Sequence, residues 1–459
     1  MPILIVTIFL ASLLMVPTVF TPMNAGATPI DFSIPSQVGE HTARVAIYDE
    51  DNTTAPVAAG ASAALSGLTN NVNEARTLLE AAGHTVTMLT TQDILDHELT
   101  TADYDVFVLI NNLPRVSITK LVKEFWLGGG GLLTFNKAFS FLVYEGILEP
   151  GFSGSDLYGG LWNNYSIDIL NVTSRHPAMK DYHINDTVSE RASDWVTIYE
   201  PALDNSDIWS YMTPLLKNIT YDNYIYALAM DSRYEGGRLV HIPGDGSSIP
   251  ADFESIIDDS VQWLAPKPKG RIVYDLTHQP RLAVDIWDDL ATVYNLDNSF
   301  TQFRTLAVNH TYTFDKLYPS ASGNLTAARL AKYDMLIIVW PDLNYTTAEY
   351  LAVEEWVTNG GSLLVLGDRN GLVGPNHGDL AINELLQNFD MSLGTTDILD
   401  FADMTPGTHL TLESCSLLRI GYRNHLVVLS NATGIWFDGS FPVVAGQEFG
   451  AGRAILSAD

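Results

Sequence analysis

Residues Val122–Phe135 read VKEFWLGGGGLLTF, and the pattern returns 231 residues later at Val353–Leu366 as VEEWVTNGGSLLVL. Each is an amphipathic helical run that breaks on glycine and re-emerges as a short apolar strand. Glycine takes the positive φ angles of so sharp an exit at no steric cost. The apolar run behind it suits a strand buried on both faces. Outward from this block, three more pairs keep the same order. RVAIYD (Arg44–Asp49) matches RIVYD (Arg271–Asp275), and ADYDVFVLINNLP (Ala102–Pro114) matches AKYDMLIIVWPDL (Ala331–Leu343). GGRLVHIPG (Gly236–Gly244) matches GAGRAILSAD (Gly450–Asp459). Four blocks in one order make a duplicated domain.

Between the blocks, NNVNEARTLLEAAGH carries apolar residues at helical spacing, with Gly83 at the C-terminal cap. TVTMLT and DVFVLI are the next strands. Strands alternating with helices predict an α/β fold: two tandem doubly wound, mostly parallel sheets of flavodoxin-like type. The expected domains are 44–264 and 271–459, joined by the Pro/Lys spacer Ala265–Gly270. Ala251–Leu264 reads as an amphipathic helix closing the first domain. The second copy stops before such a helix, so a truncated second domain and a longer natural chain are expected.

A chain of 459 residues asks for two or three cores, and its apolar fraction of 46% excludes a disordered chain. Its 54 acids against 24 bases give a net charge of −30, which excludes nucleic acid as a partner by repulsion of phosphate. Ile3–Phe20 is apolar, and Ala25-Gly26-Ala27 fits a signal-peptidase site, so residues 1–27 read as a signal peptide and 28–43 as a linker. No Lys or Arg precedes Arg44, so the basic n-region is missing and a retained N-terminal anchor stays open beside a cleaved leader. Either form predicts export to the exterior or the cell surface. The sole cysteine, Cys415, excludes an intramolecular disulfide and reads as a small buried hydrophobe. Glycosylation sequons begin at Asn52, Asn164, Asn171, Asn185, Asn218, Asn309, Asn324, Asn344 and Asn431, more than composition alone supplies.

The Y-D pair before an apolar strand, the W-x-x-(G)GG-x-LL block and the G-x-GR block together resemble the class I glutamine-amidotransferase-like superfamily. The likeness runs from Arg44 through most of both copies. It is nearest to the non-catalytic branch: gliding-motility ABC-transporter accessory proteins, an intraflagellar-transport subunit and the amidotransferase-like subunit of oligosaccharyltransferase. These blocks are specific for fold, not for activity. The resemblance implies that an active member holds a cysteine at the elbow after the glycine-led strand and a His-x-Glu pair further on. Here the elbows read Asn136-Lys137 and Asp368-Arg369, and HIPGD, His241–Asp245, lacks the glutamate. An amide cannot form the acyl intermediate a thiolate makes. Amidotransferase activity and a cofactor are therefore not expected. What the resemblance implies instead is an accessory or scaffold protein. Its partner would be a protein of a membrane complex, of transporter or glycosylation type, or glycans.

Ligand crevices of such sheets lie beyond the carboxyl ends of the strands. The candidates there are Asp49, Glu50, Asp51, Asn111, Asn112, Asn136, Lys137, His241 and Asp245 in the first copy. The second copy supplies Asp275, His278, Arg281, Asp342, Asp368 and Arg369. Asp275, His278 and Asp368 are expected on one rim. A histidine between two carboxylates is a general base or a divalent-metal ligand, so the rival function is a general-base or metal-dependent hydrolase. Asp and Asn at such positions also form turns and cap helices. The aromatic-rich WNNYSIDI and YDNYIYALAM segments read either as core strands or as a saccharide platform.

Overall fold

The computed structural model describes residues 42–50, 71–112, 114–144, 146–148, 161–163, 169–189, 195–199, 211–218, 224–231, 235–244, 249–290, 300–367, 378–398, 400–408, 417–421 and 423–458. The segment 1–27, the linker up to residue 41, Asp51, Asn52, Asn164, Asp245, Asp368, Arg369 and Cys415 lie outside the described residues. The chain forms two compact units. One holds Thr42–Pro268 with Val308–Asp315, the other Lys269–Ala307 with Lys316–Asp459. Among the described residues no helix is long and apolar enough to cross a membrane.

The first domain opens with β1 (Arg44–Tyr48), α1 (Val72–Ala81), β2 (Thr85–Leu89), α2 (Thr91–Leu95), β3 (Val106–Ile110), α3 (Thr119–Leu127), β4 (Gly131–Phe135) and α4 (Phe139–Tyr144). Strands β5 (Leu161–Asn163), β6 (Ile169–Val172), β7 (Thr187–Ser189), β8 (Trp195–Tyr199), β9 (Met212–Lys217) and β10 (Tyr224–Met230) follow. Then come β11 (Leu239–Ile242) and α5 (Ala251–Leu264). The main sheet runs β2-β1-β3-β4-β11-β10-β9-β6-β7, with β5 and β8 paired to its side. From β2 to β11 it is parallel, and from β11 onward antiparallel. Helices α1 and α5 lay Val72, Ala75, Leu79, Phe253, Ile256 and Val261 onto the strand residues Val45, Ile47, Val108 and Val240.

The second domain repeats this plan. Its elements are β12 (Arg271–Asp275), α6 (Thr301–Asn309), β13 (Thr313–Leu317), α7 (Ala327–Leu330), β14 (Met335–Val339), α8 (Thr347–Thr358), β15 (Ser362–Leu366) and α9 (Gly378–Leu385). They continue as β16 (Met391–Ile398), β17 (Ala402–Pro406), β18 (Leu418–Ile420), β19 (Arg423–Val428), β20 (Thr433–Asp438), β21 (Phe441–Phe449) and β22 (Gly452–Ser457). The sheet runs β13-β12-β14-β15-β22-β21-β20-β17-β18, and β16 pairs with β19 apart from it. Position for position this is the order of the first domain. Both parallel halves have the 2-1-3-4-5 order of a flavodoxin-like sheet. The mostly parallel expectation holds for the sheet centres. Each sheet also carries an antiparallel flank, and β9 and β10 are too close in sequence, Lys217 to Tyr224, for a crossover helix between them.

The repeated blocks have a common physical task. The acids of the two Y-D pairs, Asp105 and Asp334, accept the backbone N–H of Arg44 and Arg271 at 2.8 and 2.7 Å. They pin the first residue of β1 and of β12. A Cβ on Gly237 would overlap the carbonyl of Gly130, and a Cβ on Gly452 would overlap that of Gly361. Gly130 and Gly361 in turn lie flat against the rings of Phe125 and Trp356. The indole of Trp126 donates to the Gly237 carbonyl at 2.7 Å. Every one of these contacts sits at the amino ends of the parallel strands. The repeat is written in the residues that close that end of each sheet, opposite the carboxyl rim.

Candidate functional site

At the carboxyl rim of the first domain, β4 delivers Asn136 into a short 3-10 turn, Asn136–Ala138, which runs straight into α4. Asn136 has φ +47° and is 1% exposed. Asparagine bears this left-handed conformation better than other side chains. Its Nδ2 donates to Oδ1 of Asn111 at 3.3 Å. Asn111, with φ +56°, donates its own N–H to the Phe135 carbonyl at 3.1 Å. Asn112 accepts from the Ile110 N–H at 2.8 Å and donates to the Glu50 carbonyl at 3.1 Å. The Glu50 carboxylate accepts the Thr91 N–H at 3.0 Å and faces Arg115 at 3.6 Å. The strand thus turns tightly into a helix, and the bonded carboxamides of Asn136 and Asn111 occupy that turn.

Lys137 is half-buried, and its carbonyl accepts from Ser140 Oγ at 2.7 Å. His241 lies within β11, fully buried, with Nδ1 3.0 Å from Thr134 Oγ1 and its ring edge-on to Phe139. It packs as a core residue between strands. Asp245 lies outside the described residues.

The second rim is built differently. Val45 pairs with Val106 as Ile272 pairs with Met335, so Asp275 stands at the position of Tyr48, not of Asp49. This one-residue difference sinks the acid: Asp49 is exposed and Asp275 is 2% exposed. Asp275 accepts the N–H and hydroxyl of Thr277 at 2.8 and 2.5 Å. Its other oxygen lies 2.8 Å from His278 Nδ1. Across the ring, His278 Nε2 lies 3.5 Å from the carboxylate of Glu349. Tyr345 stacks on the imidazole at a centroid distance of 4.0 Å and points its hydroxyl at Asp275 from 3.5 Å.

Asp275 and His278 therefore meet as expected, and the second carboxylate found with them is Glu349. Asp368 and Arg369 lie outside the described residues. By strand register Gly367 follows β15 as Asn136 follows β4, so the second elbow begins one residue earlier than expected. Trp340 takes the place of Asn111, with φ +39° and an N–H that donates to Leu366 at 3.0 Å. Arg281 pairs with Asp342 and lies over the Trp340 ring.

The electrostatics of the His278 group follow from its contacts. Burial opposes a charge on the imidazole, but Asp275 and Glu349 outweigh it and the pKa of His278 is raised. Burial likewise disfavours the Glu349 carboxylate. Hydrogen bonds from the Thr346 N–H and hydroxyl, together with His278, outweigh it and lower the Glu349 pKa. Glu349 is also the N3 residue of the capping box that opens α8. Both ring nitrogens of His278 thus face carboxylates, the arrangement of an imidazolium with two donors. A metal ligand or general base needs a lone pair on one nitrogen. Deeper in the same domain, Asp285 and Asp288 are neutralised by Arg304 and Lys316 at 2.5 to 3.0 Å.

Geometry and topology together define a pair of α/β domains of flavodoxin-like sheet order, with no thiol or hydroxyl nucleophile at Asn136 or Gly367. No family model matches the chain, and neither does any curated protein. Solved structures with a similar fold include the N-terminal domain of mmIFT52, at 13% identity and TM-score 0.31, covering 41% of this chain and 86% of that one. A putative ThuA-like protein from Bacteroides uniformis matches at 15% identity and TM-score 0.34, covering 51% and 96%. A cytoplasmic protein from Salmonella typhimurium matches at 12% identity and TM-score 0.31, covering 41% and 86%. These likenesses concern the fold alone.

Proposed function

We propose that the chain is an exported, non-catalytic member of the amidotransferase-like superfamily that serves as an accessory or scaffold protein of a membrane complex, of transporter or glycosylation type. The observation that carries this reading is the state of the two elbows. Asn136 is buried and bonded to Asn111 where an active relative would present a thiolate, and Gly367 has no side chain at all. The second rim supports the same reading: His278 is 3% exposed and held between two carboxylates under Tyr345. With a net charge of −30, the partner surface would be cationic and the association sensitive to salt.

The test is to extract the chain from native membranes in mild detergent. Expected is co-purification of an integral membrane protein in fixed ratio, released by high salt. A chain that elutes alone at low salt from both membrane and soluble fractions would overturn the reading. The second reading, a hydrolase centred on Asp275, His278 and Glu349, is favoured by the meeting of those three groups alone. Ester or amide hydrolysis by the pure chain, abolished in His278→Gln, would establish it instead.

A further inference from the structure

Seven sequon asparagines lie among the described residues, and the fold divides them: Asn171, Asn185, Asn218, Asn309, Asn324, Asn344 and Asn431. Asn218 spends an Nδ2 hydrogen on the Ile169 carbonyl at 3.1 Å, and Asn431 spends one on the Asp390 carboxylate. Asn324 accepts the Ser320 N–H at 3.3 Å, with its own carbonyl held by Arg329. Asn171 is half-buried within β6, flanked by β9 and β7. Asn185, Asn309 and Asn344 are different. All three are exposed, and their side chains make no hydrogen bond among the described residues. Each stands where a regular element starts or stops: a left-handed turn before β7, the last residue of α6, and the loop before α8.

We propose that Asn185, Asn309 and Asn344 are N-glycosylation sites and that the other four are passed over. The donor class is a sugar linked to a polyprenyl phosphate or diphosphate. In the transfer the Asn Nδ2 bonds to the anomeric carbon, the bond from that carbon to the phosphate oxygen breaks, the phosphate leaves and Nδ2 loses one proton. Asn344 has a local consequence. It lies two residues from Asp342, which pairs with Arg281, and one from Tyr345, which covers His278. A glycan there shields the rim of the second domain. The proposal rests on the reading of the chain as exported.

Glycopeptide mapping by mass spectrometry on the chain purified from its native cells tests it, beside digestion of intact cells with external protease. Expected are glycopeptides at Asn185, Asn309 and Asn344 and unmodified peptides at Asn171, Asn218, Asn324 and Asn431. In the same cells Asn344→Gln should remove one glycan from the gel mobility of the chain, and Asn431→Gln none. Equal occupancy at Asn218, Asn324 or Asn431 overturns the proposal. Bare asparagines on a chain that external protease digests overturn it and leave export standing. Bare asparagines on a protected chain overturn both.

Discussion

Replacing His278 by glutamine removes the cation that Asp275 and Glu349 share while keeping a polar side chain of similar reach. Breaking a buried ion pair from one side costs about 3–5 kcal/mol. Asp275 keeps both Thr277 bonds and Glu349 keeps its capping bonds to Thr346, so the lower end applies. For a domain of this size a loss of about 3 kcal/mol lowers the melting temperature by roughly 6–12 °C. The pH dependence carries the sharper test. The folded pKa of His278 is raised above 6.5, so its contribution is complete below pH 6.5 and is lost as pH rises through the raised value. The folded pKa of Glu349 is lowered below 4.5, so its contribution is present above pH 4.5 and is lost as pH falls through the lowered value. The gap between native chain and variant should be widest between pH 4.5 and 6.5 and shrink on the alkaline side. Urea unfolding followed by tryptophan fluorescence across that range measures it. A gap that is constant, or that widens with rising pH, would mean a neutral histidine and refute the imidazolium.

In the same domain, Lys316→Met strands Asp288, which keeps the Val284 and Asp285 N–H bonds but loses its cation, and should cost about 3–5 kcal/mol by chemical denaturation. Adding Asp288→Asn should recover part of that loss. Asn136→Ala should destabilise by about 1–2 kcal/mol for a left-handed residue without a local hydrogen bond, and Asn136→Gly by less. Equal losses would point to the bond to Asn111 as the whole effect. His176 should titrate near 4 by NMR, held down by burial and Arg238, so its contribution is present above pH 6.5 and is lost as pH falls toward 4. A midpoint near 6.5 would place it in water instead. Gly237→Ala and Gly452→Ala should each cost about 1–3 kcal/mol by overpacking backbone against backbone, seen as a lower urea midpoint. Indifference at both would detach the glycines from the repeat.

Much of the fold was legible because its determinants are local and punctuated. Gly130 and Gly361 announce a turn, Asp105 and Asp334 announce a strand start, and their spacing recurs. The antiparallel flanks were not: β6 to β10 contain no glycine to mark their turns, and the glycines between β16 and β21, such as Gly439 at the β20–β21 turn, have no counterpart there to reveal a repeat. In the second site Asp275 and His278 were visible as strand-end residues. Glu349 was missed because it belongs to the first turn of a helix, one element further along the chain. Its signal was present: Thr346-x-x-Glu349 is a capping box, which fixes a carboxylate at the carboxyl rim of a parallel sheet. The depth of Asp275 was hidden by a one-residue difference between RVAIYD and RIVYD that only strand register reveals. That Asn136 turns inward could not be read either, since a left-handed asparagine and a solvent-facing one have the same letter.

The position of β11 between β4 and β10 has a consequence for how the chain is made. Both neighbours are synthesised before it, the parallel half first and the antiparallel half after. Until Leu239–Ile242 arrive, two half-sheets wait with their inner edges unpaired, and β22 imposes the same wait on the second domain. Pairing so distant in sequence is slow, and open edges of apolar strands are the surfaces on which chains aggregate. A nascent chain released before either late strand would hold most of its secondary structure and have no joined core. The order in which the strands leave the ribosome thus holds an inner edge open until late in synthesis, once in each domain.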